Sequence, residues 1–273
     1  MPNTPTVRQI AEFLEAWAPL SSAMSYDNAG LQVGNPDTEV RTALLGLDMT
    51  PELLNEAKTL GATLIVTHHP LLFRPLHAVT TETYVPNLVW RLASENIALY
   101  SIHTNLDAAS GGVSFALAEQ LGLADTEFLQ PSESGETGFG VIGSLPAPIR
   151  LQAFLEIIAE RLETPALRYA GDPEAPIRRV AVCGGAGSNL IAEAASCGAD
   201  AYITADIKYH DFFNVLDTRG HPHPALIDAG HYETEKFTES LLVEALAKQF
   251  PQTAWRRTKT STSPVRTFIP PKR

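Results

Sequence analysis

The chain has 273 residues, enough for two domains or one large one, so its core needs no disulfide or structural metal to fold. It carries 20 lysines and arginines against 31 aspartates and glutamates, and the resulting net charge of −11 argues against a dedicated nucleic-acid binder. No apolar run or N-terminal signal indicates a membrane or secretory route, and two cysteines favour a reducing compartment. We therefore expect a cytoplasmic protein without a membrane partner.

The apolar pattern of the first third predicts helices and buried strands in alternation. An amphipathic helix is predicted over Val7–Trp17, followed by buried strands at 43–47 and 62–67. Between the strands, Pro51–Leu60 predicts a helix that ends at Gly61. This strand–helix–strand order is typical of a parallel sheet covered by helices.

The same pattern recurs later in the chain. Residues 41–69 align without a gap with residues 178–206. The aligned pairs include Leu53 with Leu190, Gly61 with Gly198 and Thr67 with Thr204. This match indicates an internal duplication, so we predict an α/β fold of two related lobes, each a mixed or mostly parallel sheet flanked by helices. We expect residues 1–125 and 225–273 in a metal-binding lobe and residues 126–224 in the second lobe.

The remaining segments are predicted from composition and periodicity. Helices are expected at 113–121, 151–162 and 232–247, and a strand at Ala225–Asp228. The Gly-, Pro- and Ser-rich stretch 130–148 is expected to contain the crossing between the lobes and a short strand around 139–142. The tail is basic and lacks acidic residues: Arg256, Arg257, Lys259, Arg266, Lys272 and Arg273. The tail is expected to form a last strand with a solvated end. Alternatively, one or two of its cations face an anionic substrate.

Two adjacent histidines mark the end of one predicted strand. His68 and His69 stand between the strand and Pro70, which forces the chain to turn. Both rings can then face the crevice at the carboxyl edge of the sheet, where open α/β sheets bind ligands. Taken alone, the pair is equally compatible with one packed and one solvated histidine.

Two further strand ends add candidate ligands. Asp107 follows the predicted strand at 100–103, where an isolated aspartate would most often cap a helix. His231 and Glu235 follow another strand and lie four residues apart on one helix face, which by itself is usually a surface contact. Together, imidazoles and carboxylates suit Zn²⁺, Fe²⁺, Mn²⁺ or Co²⁺, and five ligands fit two ions better than one open site.

Five segments resemble one known family in their sequence and order: YDNAGLQVG (26–34), VTHHPLLF (66–73), HTNLDAASGGV (103–113), YITADIKYHD (202–211) and DAGHYETE (228–235). The chain is similar to the Ngg-interacting-factor-three-like dinuclear-metal family, whose bacterial members are often labelled GTP cyclohydrolase I type 2 homologues. The resemblance implies two divalent metal ions per chain and a toroidal homohexamer with the metal sites facing its interior. The implied metal ligands are His68, His69, Asp107, His231 and Glu235.

The resemblance also implies a reaction. A metal-dependent hydrolase of this kind would open the imidazole ring of a purine nucleotide such as GTP and release formate. Asp206, which aligns with His69 in the repeat, and His210 are candidate proton shuttles, although a structural role for Asp206 stays open. Arg74 and Lys208 are candidate triphosphate partners.

Other features and another function remain open. His103 is predicted to orient the loop of Asp107. The Gly184–Gly187 turn weakly resembles a phosphate-binding loop, and the backbone N–H groups that open the helix at Ser188 are candidates for holding an anion. The family usually has glycine at the position of Ala205, so the turn before Asp206 is expected to differ. The alternative function is a non-enzymatic metal carrier or a ring-shaped scaffold for partner proteins. A ring that threads DNA is disfavoured by the net charge.

Overall fold

The computed structural model describes residues 4–270, so Lys272 and Arg273 of the basic tail lie outside the described residues. The α-helices in this range are α1 (Val7–Trp17), α2 (Pro51–Leu60), α3 (Tyr84–Ser94), α4 (Thr104–Asp107), α5 (Val113–Gln120), α6 (Leu151–Arg161), α7 (Ile191–Ser196), α8 (His231–Glu235) and α9 (Thr238–Gln249). The strands are β1 (Gly30–Val33), β2 (Thr42–Gly46), β3 (Leu64–Thr67), β4 (Ala98–Ser101), β5 (Ala124–Pro131), β6 (Gly138–Arg150), β7 (Arg168–Ala170), β8 (Pro176–Ala186), β9 (Ala201–Ala205), β10 (Ala225–Asp228) and β11 (Ala254–Arg257). None of the helices described is long and apolar enough to cross a membrane.

The chain divides into two compact units. The first contains the described residues up to Ala109 together with Lys236–Ser263, and the second contains Ser110–Glu235 and the described residues after Ser263. In the first unit the sheet order is β1-β4-β3-β2-β11, with β1 antiparallel at one edge and the other neighbours parallel. Its core packs α2 and α3 against the sheet through buried leucines such as Leu53, Leu54 and Leu92.

The second unit has a six-stranded sheet in the order β5-β6-β8-β9-β10-β7. Strands β8, β9 and β10 are parallel, whereas β5, β6 and β7 join their neighbours in antiparallel pairs. Its core includes Leu190, Ile191 and Tyr202. The structure therefore confirms the predicted fold class of two α/β units with helix-flanked sheets.

The strand registers match the duplication predicted from the sequence. In the first unit Ala43 pairs with Leu64, and at the equivalent positions of the second unit Val180 pairs with Ala201. Each helix between these strands is followed by a glycine with positive φ, 63° at Gly61 directly after α2 and 71° at Gly198 two residues after α7. A left-handed residue at this point stops a helix and turns the chain into the next strand. The two units thus share one local design.

The structure divides the chain at other residues than the sequence predicted. Residues 225–235 belong to the second unit because β10 pairs with β9 and β7 in its sheet. Residues from Ser110 onward also belong there, since α5 packs on β8 and β6. Consequently His231 and Glu235 lie in the second unit, not in a single metal-binding lobe.

Two predicted segments differ from the structure for local reasons. The short strand predicted around 139–142 is confirmed as part of β6, but 130–148 holds no crossing between the lobes, because β5 and β6 form an antiparallel pair within the second unit. The helix predicted at 232–247 is two helices, α8 and α9, separated at residues 236–237. Helix periodicity alone does not reveal such a break, since the apolar pattern continues through it.

Glu239 predicts how stability depends on pH. This side chain at the start of α9 is buried and accepts a hydrogen bond from the backbone N–H of Leu47 at 3.1 Å. Burial raises the pKa of Glu239 from 4.5 to about 7, despite the opposing charge of Arg257. Because the pKa of Glu239 is higher in the folded than in the unfolded protein, its protonation contributes fully to the free energy of unfolding below pH 4.5. This contribution is lost as the pH rises through about 7.

Glu239→Gln replaces the ionisable group with a neutral one. We expect the wild-type free energy of unfolding to fall by up to about 3 kcal/mol between pH 5 and pH 8, and this fall to shrink in Glu239→Gln. Denaturant unfolding of metal-free protein across that range measures it, with the exposed Glu244→Gln as the control. Parallel pH profiles for the wild type and Glu239→Gln would contradict the assignment.

Candidate functional site

Three histidines converge in the first unit at the ends of β3 and β4. The ring centroids of His68 and His69 lie 5.0 Å apart, and His103 lies 5.2 Å from His68 and 5.4 Å from His69. Each of the three offers a ring nitrogen within 4.8 Å of the others, so the group can hold a metal ion. His68 is 1% exposed, which is unusual for a histidine without a structural or metal-binding role.

Hydrogen bonds fix these rings through their Nδ1 atoms. His68 Nδ1 lies 2.8 Å from the carbonyl oxygen of Ile102, His69 Nδ1 2.7 Å from Asp48 Oδ1, and His103 Nδ1 2.7 Å from Asp27 Oδ1. A carbonyl oxygen can only accept, so the proton of His68 resides on Nδ1 and the lone pair of the neutral ring is on Nε2. Metal-binding histidines usually have this arrangement.

Asp107 completes the ligand group of the first unit. It ends the single helical turn α4, and its Oδ1 lies 3.6 Å from His68 Nε2. Two ligands of one ion with bonds of about 2.0–2.2 Å lie roughly 3–3.6 Å apart. Two lone pairs at this distance repel each other unless a cation or a proton lies between them. The pair of His68 and Asp107 therefore fits a divalent metal.

The second unit carries a matching pair on α8. His231 begins the helix and Glu235 ends it, and the His231 Nε2 and Glu235 Oε2 atoms lie 3.2 Å apart. The His231 Nδ1 atom lies 2.8 Å from Asp206 Oδ2, so a carboxylate holds this ring as well. Glu235 is only 3% exposed, and a buried carboxylate requires a compensating charge. This pair also fits a divalent metal.

Gly185 leaves room for that pair. Its φ is 60°, and a Cβ added there would lie 2.2 Å from Glu235 Oε1 and 3.2 Å from His231 Nε2. The backbone N–H of Gly185 donates to Thr234 Oγ1 at 3.1 Å, and that of Gly184 donates to Ser114 Oγ at 3.3 Å. These two donors are occupied within the second unit, and anion binding by the N–H groups at the Ser188 end of the Gly184–Gly187 turn stays a prediction.

The candidate proton shuttles have different surroundings. Asp206 is largely exposed, with a φ of 54°, and it contacts His231, as a residue supporting a metal ligand would. His210 is exposed, with its ring 5.2 Å from Tyr209 and 6.2 Å from Phe213. Proton transfer by either residue stays a prediction. Ala205, the residue before Asp206, is fully buried at the end of β9.

Sequence reasoning missed three members of the site. The backbone of His103 does hold the turn of Asp107, since its carbonyl oxygen accepts from the Asp107 N–H at 3.1 Å, but its ring also lies against both His68 and His69, which the sequence did not predict. Asp27 and Asp48, which hold His103 and His69, are far from them in the chain. Asp27 lies in the segment YDNAGLQVG, but that segment does not show which histidine Asp27 contacts, and Asp48 lies in none of the five family segments. A histidine directly after a strand end, like His68 and His69, was the available signal for His103.

Asp48 supports His69 and is itself supported from the C-terminal segment. Thr262 Oγ1 donates to Asp48 Oδ2 at 2.9 Å, while Asp48 Oδ1 accepts from His69. We expect Asp48→Asn to lower zinc affinity by about 10–100-fold, because a neutral amide accepts more weakly than a carboxylate and no longer raises the basicity of the ring. Competition with a chelator measures this affinity, and Asp37→Asn, an exposed aspartate paired with Arg8, is the control. Unchanged affinity in Asp48→Asn would contradict this role.

Comparison with known proteins gives the family. The family model described as Duf34/NIF3 (NGG1p interacting factor 3) matches residues 5–264. The chain belongs to the DUF34/NIF3 family. A Streptomyces coelicolor relative named GTP cyclohydrolase 1 type 2 homolog is 40% identical over 236 residues, 85% of this chain and 82% of the relative. A Clostridium perfringens relative of the same name is 35% identical over 230 residues, 84% of this chain and 86% of the relative.

Solved structures agree with this family membership. A Bacillus cereus protein related to NIF3 superimposes with a TM-score of 0.90 at 25% identity, covering 98% of this chain and 100% of that chain. A Staphylococcus aureus hypothetical protein gives a TM-score of 0.89 at 26% identity, covering 97% and 100%. The DUF34/NIF3 resemblance predicted from the sequence motifs is confirmed, as is the mixed α/β fold.

Proposed function

We propose that this chain is a metal-dependent hydrolase that opens the imidazole ring of a purine nucleotide and releases formate. It would bind about two divalent ions through His68, His69 and Asp107 in the first unit and His231 and Glu235 in the second. One observation carries the metal proposal. In both units the histidine ligands have Nδ1 held by a carbonyl or carboxylate, which makes Nε2 the ligand atom.

The ions, when bound, supply a hydroxide nucleophile near neutral pH. The residues of the chain hold the ligands and handle protons. Asp48 and Asp206 accept from the Nδ1 atoms of His69 and His231 and so fix the rings. Because Asp206 is largely exposed, its carboxylate can also exchange a proton with solvent or substrate, which supports the proposed shuttle.

The substrate class in this proposal comes from the relatives. Proteins at 40% and 35% identity are named GTP cyclohydrolase 1 type 2 homolog, and this chain matches more than four fifths of their length. A purine nucleotide with a triphosphate is the ligand that this name indicates. Lys208 is exposed in the second unit and is a candidate contact for the phosphates. The ring-shaped hexamer implied by the family resemblance stays a prediction that light scattering can test.

A formate assay tests the reaction. Protein is loaded with Zn²⁺, Fe²⁺, Mn²⁺ or Co²⁺, incubated with GTP, and the formate released is measured over many turnovers. We expect steady formate release that stops on chelation and is lost in Asp107→Asn. Bound metal without formate from GTP would contradict the proposed reaction and favour the alternative, a non-enzymatic metal carrier or scaffold.

A further inference from the structure

The first unit contains a cleft of about 470 Å³ beside the histidine group. Tyr26, Phe73 and Val79 line it with side chains that are 61%, 43% and 49% exposed. The Tyr26 and Phe73 ring centroids lie 6.2 Å apart with an interplanar angle of 66°, so the two rings form one edge-to-face aromatic pair in the lining of the cleft. Exposed aromatic surface of this kind is typical of a binding site.

Hydrogen bonds hold the two walls of this cleft in place. Asn28 Nδ2 donates to the carbonyl of Leu72 at 2.7 Å, joining the loop of Tyr26 to the segment of Phe73. The N–H of Leu72 donates to Gln32 Oε1 at 2.8 Å. Because the walls are tied to each other, the aromatic surface is preformed, and a ligand need not order it on binding.

The cleft is continuous with the histidine group. Phe73 packs edge-on against His103 at 6.3 Å, and His103 lies 5.4 Å from His69. Asp27, next to Tyr26, accepts from His103 Nδ1. A planar ligand held on Tyr26 and Phe73 therefore lies beside the ring of His103, which in turn contacts the proposed metal ligand His69.

The charge of the cleft favours an anion. Arg74 lines it and takes part in none of the ion pairs found among residues 4–270. The carboxylate of Asp27 also lines it, but its side chain is fully buried and contacts His103 and Thr104. The accessible charge is thus the cation, in a chain of net charge −11.

We propose that this cleft is the nucleotide subsite, with the purine base on Tyr26 and Phe73 and a phosphate on Arg74. The subsite deepens the proposed function and rests on it for the identity of the nucleotide. Every nucleobase has a flat aromatic face that stacks on aromatic side chains, so Tyr26 and Phe73 would supply affinity for the base. The nearby metal ligands and Arg74 would supply orientation.

Calorimetric binding to metal-loaded protein tests the subsite, with GTP, guanosine and tripolyphosphate as separate probes. We expect Tyr26→Ala and Phe73→Leu each to weaken GTP and guanosine binding by about tenfold and to leave tripolyphosphate binding unchanged. Arg74→Ala should instead weaken GTP and tripolyphosphate but not guanosine. Phe268→Ala and Arg41→Ala, which remove an exposed aromatic and an exposed cation elsewhere, are the matched controls.

Metal content and molecular mass are measured for every variant. The subsite is supported if Tyr26→Ala and Phe73→Leu keep their full metal content but bind GTP and guanosine more weakly. This result does not require GTP to release formate, so the subsite and the reaction can fail separately. Unchanged GTP affinity in Tyr26→Ala and Phe73→Leu would overturn the subsite, as would absence of GTP binding by the wild type. A change of oligomeric state in these variants would also overturn it, because the cleft would then be a surface between copies of the chain.

Discussion

His68→Ala combined with Glu235→Ala is expected to remove most of the bound divalent metal while the protein stays folded. Each change removes a ligand from a different unit, so neither group of ligands is left complete. The affinity loss should exceed the roughly 10–100-fold that a residue supporting a ligand contributes. Elemental analysis after reconstitution and gel filtration measures the bound metal.

Stability should respond much less than metal binding. Both side chains are buried, but removing Glu235 also removes a buried charge, so we expect the metal-free free energy of unfolding to change by about 1–3 kcal/mol. Each unit has its own apolar core that does not depend on the ions. His77→Ala and Glu233→Gln replace residues of the same types outside the ligand set, and should bind metal normally. Outright unfolding of the double variant would mean that the metals are structural.

Gly185→Ala is expected to abolish metal binding by the second unit without changing any ligand. The added Cβ would lie 2.2 Å from Glu235 Oε1, closer than any real contact, so the carboxylate must move. Glu235 is buried and packed, and it cannot move far without losing its place near His231 Nε2. We expect metal loss comparable to that of Glu235→Ala, measured in the same way.

Gly198→Ala is the matched control for this change. Gly198 also has positive φ, 71° against 60° at Gly185, and a Cβ there would meet nothing within 4 Å. Both substitutions carry the backbone cost of alanine in the left-handed region, about 1 kcal/mol. Only Gly185→Ala should lose metal. Equal metal loss in both variants would mean that backbone strain causes the loss, and it would contradict the inference that Gly185 leaves the space that the Glu235 carboxylate occupies.

Strong local signals made much of the fold predictable. The helices α1 and α2 begin and end where the apolar period, Pro51 and Gly61 indicate. The duplicated strand–helix–strand pattern likewise anticipated the equal registers of β2 with β3 and β8 with β9. Unit boundaries were harder, because β10 joins the second sheet through pairing with β9 and β7 that no local pattern encodes.

The candidate site shows the same division. Adjacent residues such as His68 and His69, or residues one helical turn apart such as His231 and Glu235, form patterns in the sequence. Asp48 does not, because its contact with His69 depends on how the chain returns after β2. The aromatic residues Tyr26 and Phe73 lie in segments that resemble the family, but nothing in the sequence predicts that their rings meet in one cleft, because Tyr26 and Phe73 lie far apart in the chain.

Metal stoichiometry tests the central claim most directly. Purified protein is stripped with a chelator, reconstituted in turn with Zn²⁺, Fe²⁺, Mn²⁺ and Co²⁺, passed through gel filtration and measured by elemental analysis. We predict about two ions per chain for the wild type, and a loss of bound metal for His68→Ala and for Glu235→Ala measured separately. A wild-type protein that retains no metal after reconstitution would contradict the account.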